Sequence, residues 1–178
     1  MRAIIFLTVI LTSLLLLSCN SKPTLQKYFV GNLENKDFVA LDISPTILNL
    51  DKTKLSAEQK RAMESFDKMN VLIFKLDENN QAQYEVESQK ITQILKDESY
   101  QQLIKVGSGK DGATISFVGD EDNINEFVVF GKSKDNGFAV VRILGNDMNP
   151  NNIMTMLSVL KESKIDTAQL APLKDLIK

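Results

Sequence analysis

Glu126-Phe127-Val128-Val129-Phe130-Gly131, then Lys134-Asp135-Asn136-Gly137, then Phe138-Ala139-Val140-Val141-Arg142-Ile143-Leu144, is the stretch that decides the fold. Both apolar runs have strand length and are rich in β-branched and aromatic residues. Asn136-Gly137 between them is a hairpin signal, because a tight two-residue turn needs positive φ at both central positions, which Asn and Gly tolerate. The reading is two antiparallel strands, roughly 126–131 and 138–144.

Working outward, Gly107-Ser108-Gly109-Lys110-Asp111-Gly112 reads as a flexible turn leading into a strand over 113–118, where Ala113, Ile115 and Phe117 share one face. This makes a three-strand meander. After it, Asn149 and Pro150 match an N-cap and first helical residue, opening a helix with Ile153, Met154, Leu157 and Leu160 along a stripe. A last helix is expected at about Thr167–Ile177, using Leu170, Leu173 and Ile177, with Pro172 in or near its first turns. Toward the N-terminus, residues 81–106 read as helical, with Val86, Ile91, Ile94, Leu95, Leu103 and Ile104 as buried candidates and Asp97-Glu98 dividing two helices. Val71–Leu76 reads as an inner strand. Ser56-Ala57-Glu58-Gln59 fits a capping box, predicting a helix from Ala57 to about Met69 with Ala62, Met63, Phe66 and Met69 facing the core. Phe38–Ile43 reads as another inner strand, followed by a short turn of helix through Thr46–Leu48 that Ser44-Pro45 would open. The order is strand, helix, strand, helices, three-strand meander, helices. It predicts an α+β domain with a mixed or antiparallel sheet of about five strands packed against helices.

The N-terminus carries an address. Arg2 precedes an apolar run from Ala3 to Leu17 that closes on Leu16-Leu17-Ser18-Cys19. A basic residue, a short apolar core and a small residue before the only cysteine are the pattern of a lipoprotein signal peptide. A spanning helix needs about 20 apolar residues, whereas this run is shorter, contains Thr8, Thr12 and Ser13, and is followed by Asn20-Ser21-Lys22-Pro23. The expected organisation is a signal peptide over 1–18, lipid attachment (palmitate among the acyl groups) at Cys19, a flexible tether over 19–27 and a single domain over 28–178.

Composition narrows the chemistry. The chain has 178 residues, no histidine, one cysteine and a net charge of −2. Without histidine, and with the thiol taken by lipid, the usual general base, the commonest metal ligand and the usual serine triads, cysteine proteases and zinc sites all drop out. No disulfide can form within the mature chain. No basic block is present, so nucleic acid is not an expected partner.

Five local patterns could carry chemistry. Gly109-Lys110 lies in a glycine-rich stretch, but Asp111 follows the lysine and Ile104 stands five before the glycine, so the phosphate-loop spacing fails. Gly119–Glu126 alternates acids and amides, yet counted from Asp120 the sixth and twelfth positions are Asn125 and Gly131, not the Gly and Glu of a calcium loop. Asp147–Asn152 is a weaker version of the same idea that helix capping explains. Asp42 and Arg142 each interrupt an apolar strand, and an unpaired buried charge is costly, so they are expected at strand ends, paired with each other or with Glu126, or lining a cleft. Met63, Met69, Met154 and Met156 are read as core filling rather than an adaptable groove.

Asp42-Ile43-Ser44-Pro45, Lys110-Asp111-Gly112-Ala113, the run 126–131 and Gly137–Gly145, taken with the Leu16–Cys19 pattern, resemble the family catalogued as domain of unknown function 4252, small envelope lipoproteins of Bacteroidota. The resemblance covers roughly residues 28–177. It implies a Gram-negative envelope and supplies no catalytic residue, cofactor or metal. Surface display in that class implies acidic residues just after the lipidated cysteine, and Asn20-Ser21-Lys22 has none. The expectation is an outer-membrane lipoprotein facing the periplasm, joined to the membrane by its lipid. It would act as a non-enzymatic binding or interaction module with an envelope protein partner, one version being an accessory of envelope signalling. Two contrasting expectations are a hydrolase of envelope glycans using carboxylates such as Asp42 or Glu126, and a small-ligand carrier with an apolar cavity.

Overall fold

The computed structural model describes residues 22–45, 54–109 and 111–162. Its elements are α1 (Leu25–Asn32), β1 (Phe38–Ile43), α2 (Ala57–Glu64), β2 (Phe66–Lys75), α3 (Gln81–Ile94), β3 (Gln101–Ser108), β4 (Asp111–Asp120), β5 (Asn123–Ser133), β6 (Gly137–Met148) and α4 (Pro150–Glu162). The signal stretch, Cys19, the turn expected at Thr46–Leu48 and the helix expected at Thr167–Ile177 lie outside the described residues.

The six strands form one sheet in the order β1-β2-β6-β5-β4-β3, with every neighbouring pair antiparallel. This is an α+β fold, with six strands in place of about five and a four-strand meander in place of three. Because successive side chains of a strand point to opposite faces, the sheet separates two cores. On one face α1 and α3 press Leu25, Phe29, Tyr84 and Ile91 against Leu72, Phe74, Phe130, Phe138 and Val140. The Phe74 and Phe138 rings stack there at 5.3 Å between centroids, with Phe38 edge-on to both. On the other face α2 and α4 cover Phe66, Phe117, Phe127 and Ile143 with Met63, Ile153 and Met156.

Local signals placed several elements correctly. Gln59 N–H donates to Ser56 Oγ (3.1 Å) and Ser56 N–H to Gln59 Oε1 (2.8 Å), closing the capping box. Asn149 Oδ1 accepts from Asn152 N–H (2.9 Å) at the start of α4. In α4, however, Ile153, Met156 and Val159 are buried and Met154 is exposed.

Tertiary pairing overrode the reading elsewhere. The helix from Ala57 stops at Glu64, and Phe66 and Met69 are strand residues of β2, where Phe66 pairs with Gly145 of β6. The stretch 101–108 is a strand, not a second helix. Asp97 Oδ1 accepts from Ser99 N–H and Oγ, ending the helical segment in a turn, and β3 carries its residues exposed with a register shift between Gln102 and Ile104. An exposed, bulged edge strand shows no alternation to read. β1 also lies at the sheet edge and not inside it. The fold begins before Tyr28: Thr24 caps α1, and Leu25 is fully buried. A helix of eight residues, about two turns, offers only Leu25 and Phe29 as a core stripe, too short a period to see.

The hairpin joining β5 and β6 turns through Lys134-Asp135-Asn136, and only Gly137 has positive φ (107°). The expected two-residue Asn-Gly turn is therefore a longer loop, closed by the Ser133–Gly137 pair, with Ser133 Oγ accepting from the Asp135 and Asn136 amides. A Cβ at 137 would overlap the carbonyl oxygen of Phe74 on β2. Gly137→Ala is therefore expected to cost about 1–3 kcal/mol, read as a lower urea midpoint at unchanged slope.

Candidate functional site

Three places carry the chemistry of this chain: a charged cluster under α1, a carboxylate between α1 and α3, and an apolar groove on the opposite face. The first grows from the sheet register. Asp42, Asn70, Arg142, Val128, Ser116 and Gln102 lie side by side across β1, β2, β6, β5, β4 and β3. Asp42 is exposed on the edge strand and accepts a hydrogen bond from the Asn70 side-chain amide. Arg142, in the centre, is buried. Its Nε donates to Glu126 Oε1 (2.7 Å) and its Nη2 to Glu126 Oε2 (2.9 Å), a two-pronged pair, while Nη1 donates to Gln26 of α1. The Phe29 ring lies over the guanidinium at 5.5 Å. Of the expected partners, Glu126 is the one that meets Arg142, and Asp42 stands apart from both.

The second place ties the two helices of this layer. Tyr28 Oη donates to Glu87 Oε2 and Lys90 Nζ to Glu87 Oε1, both at 2.7 Å. Burial, then the hydrogen bond to Glu87 and the charge of that carboxylate, push the Tyr28 hydroxyl far above its ordinary value. Tyr100, half-buried near Leu25, Glu126 and Arg142, is also raised, by burial foremost and then by the Glu126 charge. None of Gln26, Phe29, Tyr28, Tyr100 or Glu87 stood out in sequence. Each acquires its role from a contact with a distant segment.

The third place is on the face of α2 and α4. Two adjacent rows cross all six strands: Val39, Ile73, Ala139, Gly131, Ala113 and Val106, then Leu41, Val71, Val141, Val129, Ile115 and Ile104. Every position is apolar. The small residues Ala139, Gly131 and Ala113 lie between Ile73 and Val106 and form the floor of an open groove of about 700 Å³. Val106 and Ile104 remain 57% and 44% exposed at its end.

The remaining sequence candidates are turns. Gly107–Gly112 is the β3–β4 hairpin and opens no helix, with Gly107 and Gly109 at positive φ. Asp120–Asn123 is the β4–β5 turn, and Gln101 Nε2 donates to the Gly119 carbonyl beside it (2.8 Å). Among the described residues no three carboxylates or thiols gather as metal ligands would. Asp42 on β1 and Glu126 on β5 are three strand steps apart, about 14 Å at the usual spacing. A pair of glycosidase carboxylates stands about 5–10 Å apart. These two do not form one. Among the described residues, two apolar grooves of about 700 and 490 Å³ open at the surface.

The family model described as a domain of unknown function, DUF4252, matches residues 28–156, more than two thirds of the chain. The chain belongs to that family. In this DUF4252 protein the match opens inside α1 and closes inside α4, so it takes in the whole sheet, the Arg142–Glu126 pair and both apolar rows. No curated protein matches the chain.

Two outcomes test the cluster. Glu126→Ala leaves a buried guanidinium without its carboxylate and is expected to cost about 3–5 kcal/mol, whereas Glu126→Leu combined with Arg142→Met is expected to recover most of it. Chemical denaturation of the three proteins measures this. For the tyrosines, the folded state holds phenol protons that the unfolded chain releases near pH 10. The stability they confer is therefore complete below about pH 10 and is lost as pH rises above it. Tyr28→Phe is expected to lower stability at neutral pH by about 1.5–3 kcal/mol and to flatten the alkaline decline, read from unfolding curves across that range.

Proposed function

We propose that this DUF4252 protein is a lipid-anchored interaction module of the cell envelope, held at the outer membrane through Cys19 and facing the periplasm, and that it docks a protein partner on the apolar rows of its sheet. The observation that carries this reading is the unbroken apolar row Val39, Ile73, Ala139, Gly131, Ala113 and Val106, none of which is buried; the neighbouring row is partly core, with Val71 buried and Ile115 and Val141 packed against the α2–α4 cluster. Soluble proteins rarely expose a contiguous apolar patch of this kind unless something binds there. The fitting partner presents an apolar ridge, since Ala139, Gly131 and Ala113 leave room for side chains from outside. Anchoring rests on the Leu16–Cys19 pattern, and the absence of histidine and of a free thiol in the mature chain supports a role without catalysis. Service to envelope signalling is one form this role would take.

The test is photo-crosslinking in the native cell, with a benzophenone side chain at Ala113 of the full-length protein and Cys19→Ser as the unanchored control. A single protein crosslinked at Ala113 and lost with Cys19→Ser is the expected result. Ala139→Arg is expected to weaken that crosslink about tenfold or more, the effect of ~1.4 kcal/mol. A crosslink made only within the chain, to the 163–178 stretch, would count against docking of a partner.

A further inference from the structure

The start of α1 sets how far the folded domain can stand from its anchor. Reading 19–27 as a tether allows nine loose residues, but Leu25 is buried and Thr24 caps the helix, so the free stretch is much shorter. Lys22 lies beside the domain: its carbonyl accepts from Lys27 Nζ (3.5 Å) and its exposed ammonium stands 3.6 Å from Asp97. Three residue steps separate Cys19 from Lys22, a reach of about 11 Å at full extension. A lipid on Cys19 therefore keeps Lys22 within about 11 Å of the anchored residue, at or just outside a headgroup layer about 5–8 Å thick.

The surface beside Lys22 is a groove of about 490 Å³ between α1 and α3, walled by Pro23, Thr24, Lys27, Tyr28, Val86 and Ile94 among others. Val86 is 52% exposed at its rim, beside Lys27 and Lys90. An exposed valine at the mouth of an apolar groove, beside lysines, suits a headgroup boundary, where apolar groups sink in and long cationic chains reach phosphate. Glu87 and Asp97 neutralise Lys90 and Lys22 in part, so charge alone would not hold this face to a bilayer. It does not have to, because a short tether gives an effective concentration in the millimolar range, enough to populate a weak contact.

We infer that the α1–α3 groove is a membrane-contact surface, lying against the phospholipid headgroups of the bilayer that holds Cys19, with Val86 at the level of the lipid. The apolar rows on the opposite face are thereby turned away from the bilayer, toward the aqueous compartment. This rests on the anchoring reading above.

Lipidation occupies the only cysteine of the chain, so a second one can be labelled selectively. Full-length Val86→Cys, and separately Gln89→Cys, would be labelled with an environment-sensitive fluorophore and reconstituted in vesicles of phosphatidylethanolamine and phosphatidylglycerol containing headgroup spin-labelled lipid. Met154→Cys on α4 is the reference, being apolar and somewhat more exposed than Val86 but on the other helical layer. Several-fold stronger quenching at 86 and 89 than at 154 is expected. Equal quenching at all three, in protein whose intact mass shows lipid on Cys19, overturns the inference alone. An intact mass without lipid overturns the anchoring reading and this inference with it.

Discussion

A guanidinium in the middle of a sheet is the constraint around which one half of this molecule is arranged. Arg142 belongs to β6, which lies between β2 and β5, so its side chain cannot reach water along the strand. Leaving that charge without partners would be prohibitive. Glu126 answers it from the neighbouring strand, and Gln26 and Phe29 answer it from above. The same contacts fix where α1 lies. Once α1 is there, Tyr28 meets Glu87 of α3, and the two helices are joined over the aromatic core.

The opposite layer is held by other means. α2 and α4 contribute side chains such as Met63, Ile153 and Met156 to an apolar cluster, with few polar links. Asn152 of α4 reaches Ser65, and Thr155 reaches Glu58. This layer covers the Phe66–Phe117–Phe127–Ile143 end of its face. The molecule is thus asymmetric: one face is closed by helices clasped through charge and hydrogen bonds, and the other carries a groove with an apolar floor.

What could be read in the sequence was local. Ser56 with Gln59, Asn149 with Pro150, and the apolar runs on either side of Lys134–Gly137 announce their structures within a few residues, because the atoms that satisfy one another are chain neighbours. Arg142 could be marked as a buried charge in need of a partner, and Glu126 was among the partners considered. Its other companions come from 116 residues away in the case of Gln26, and no periodicity points to them. The groove was illegible for a related reason. Ala113, Gly131 and Ala139 are unremarkable singly and become one surface only when strand register sets them side by side. β3 was missed because an edge strand exposed on both faces has no pattern for burial to impress on it.

That edge strand also bears on how the protein keeps company in a crowded compartment. The outer margin of a sheet offers unsatisfied amides and carbonyls to any extended chain that passes. Here one margin carries Asp42 and the other Lys105, and the β3 margin is interrupted where its register shifts between Gln102 and Ile104. Irregularity and charge at the rims discourage strands from adding on indiscriminately. A polypeptide meeting the broad face would instead have to match a shape rather than merely extend a ladder.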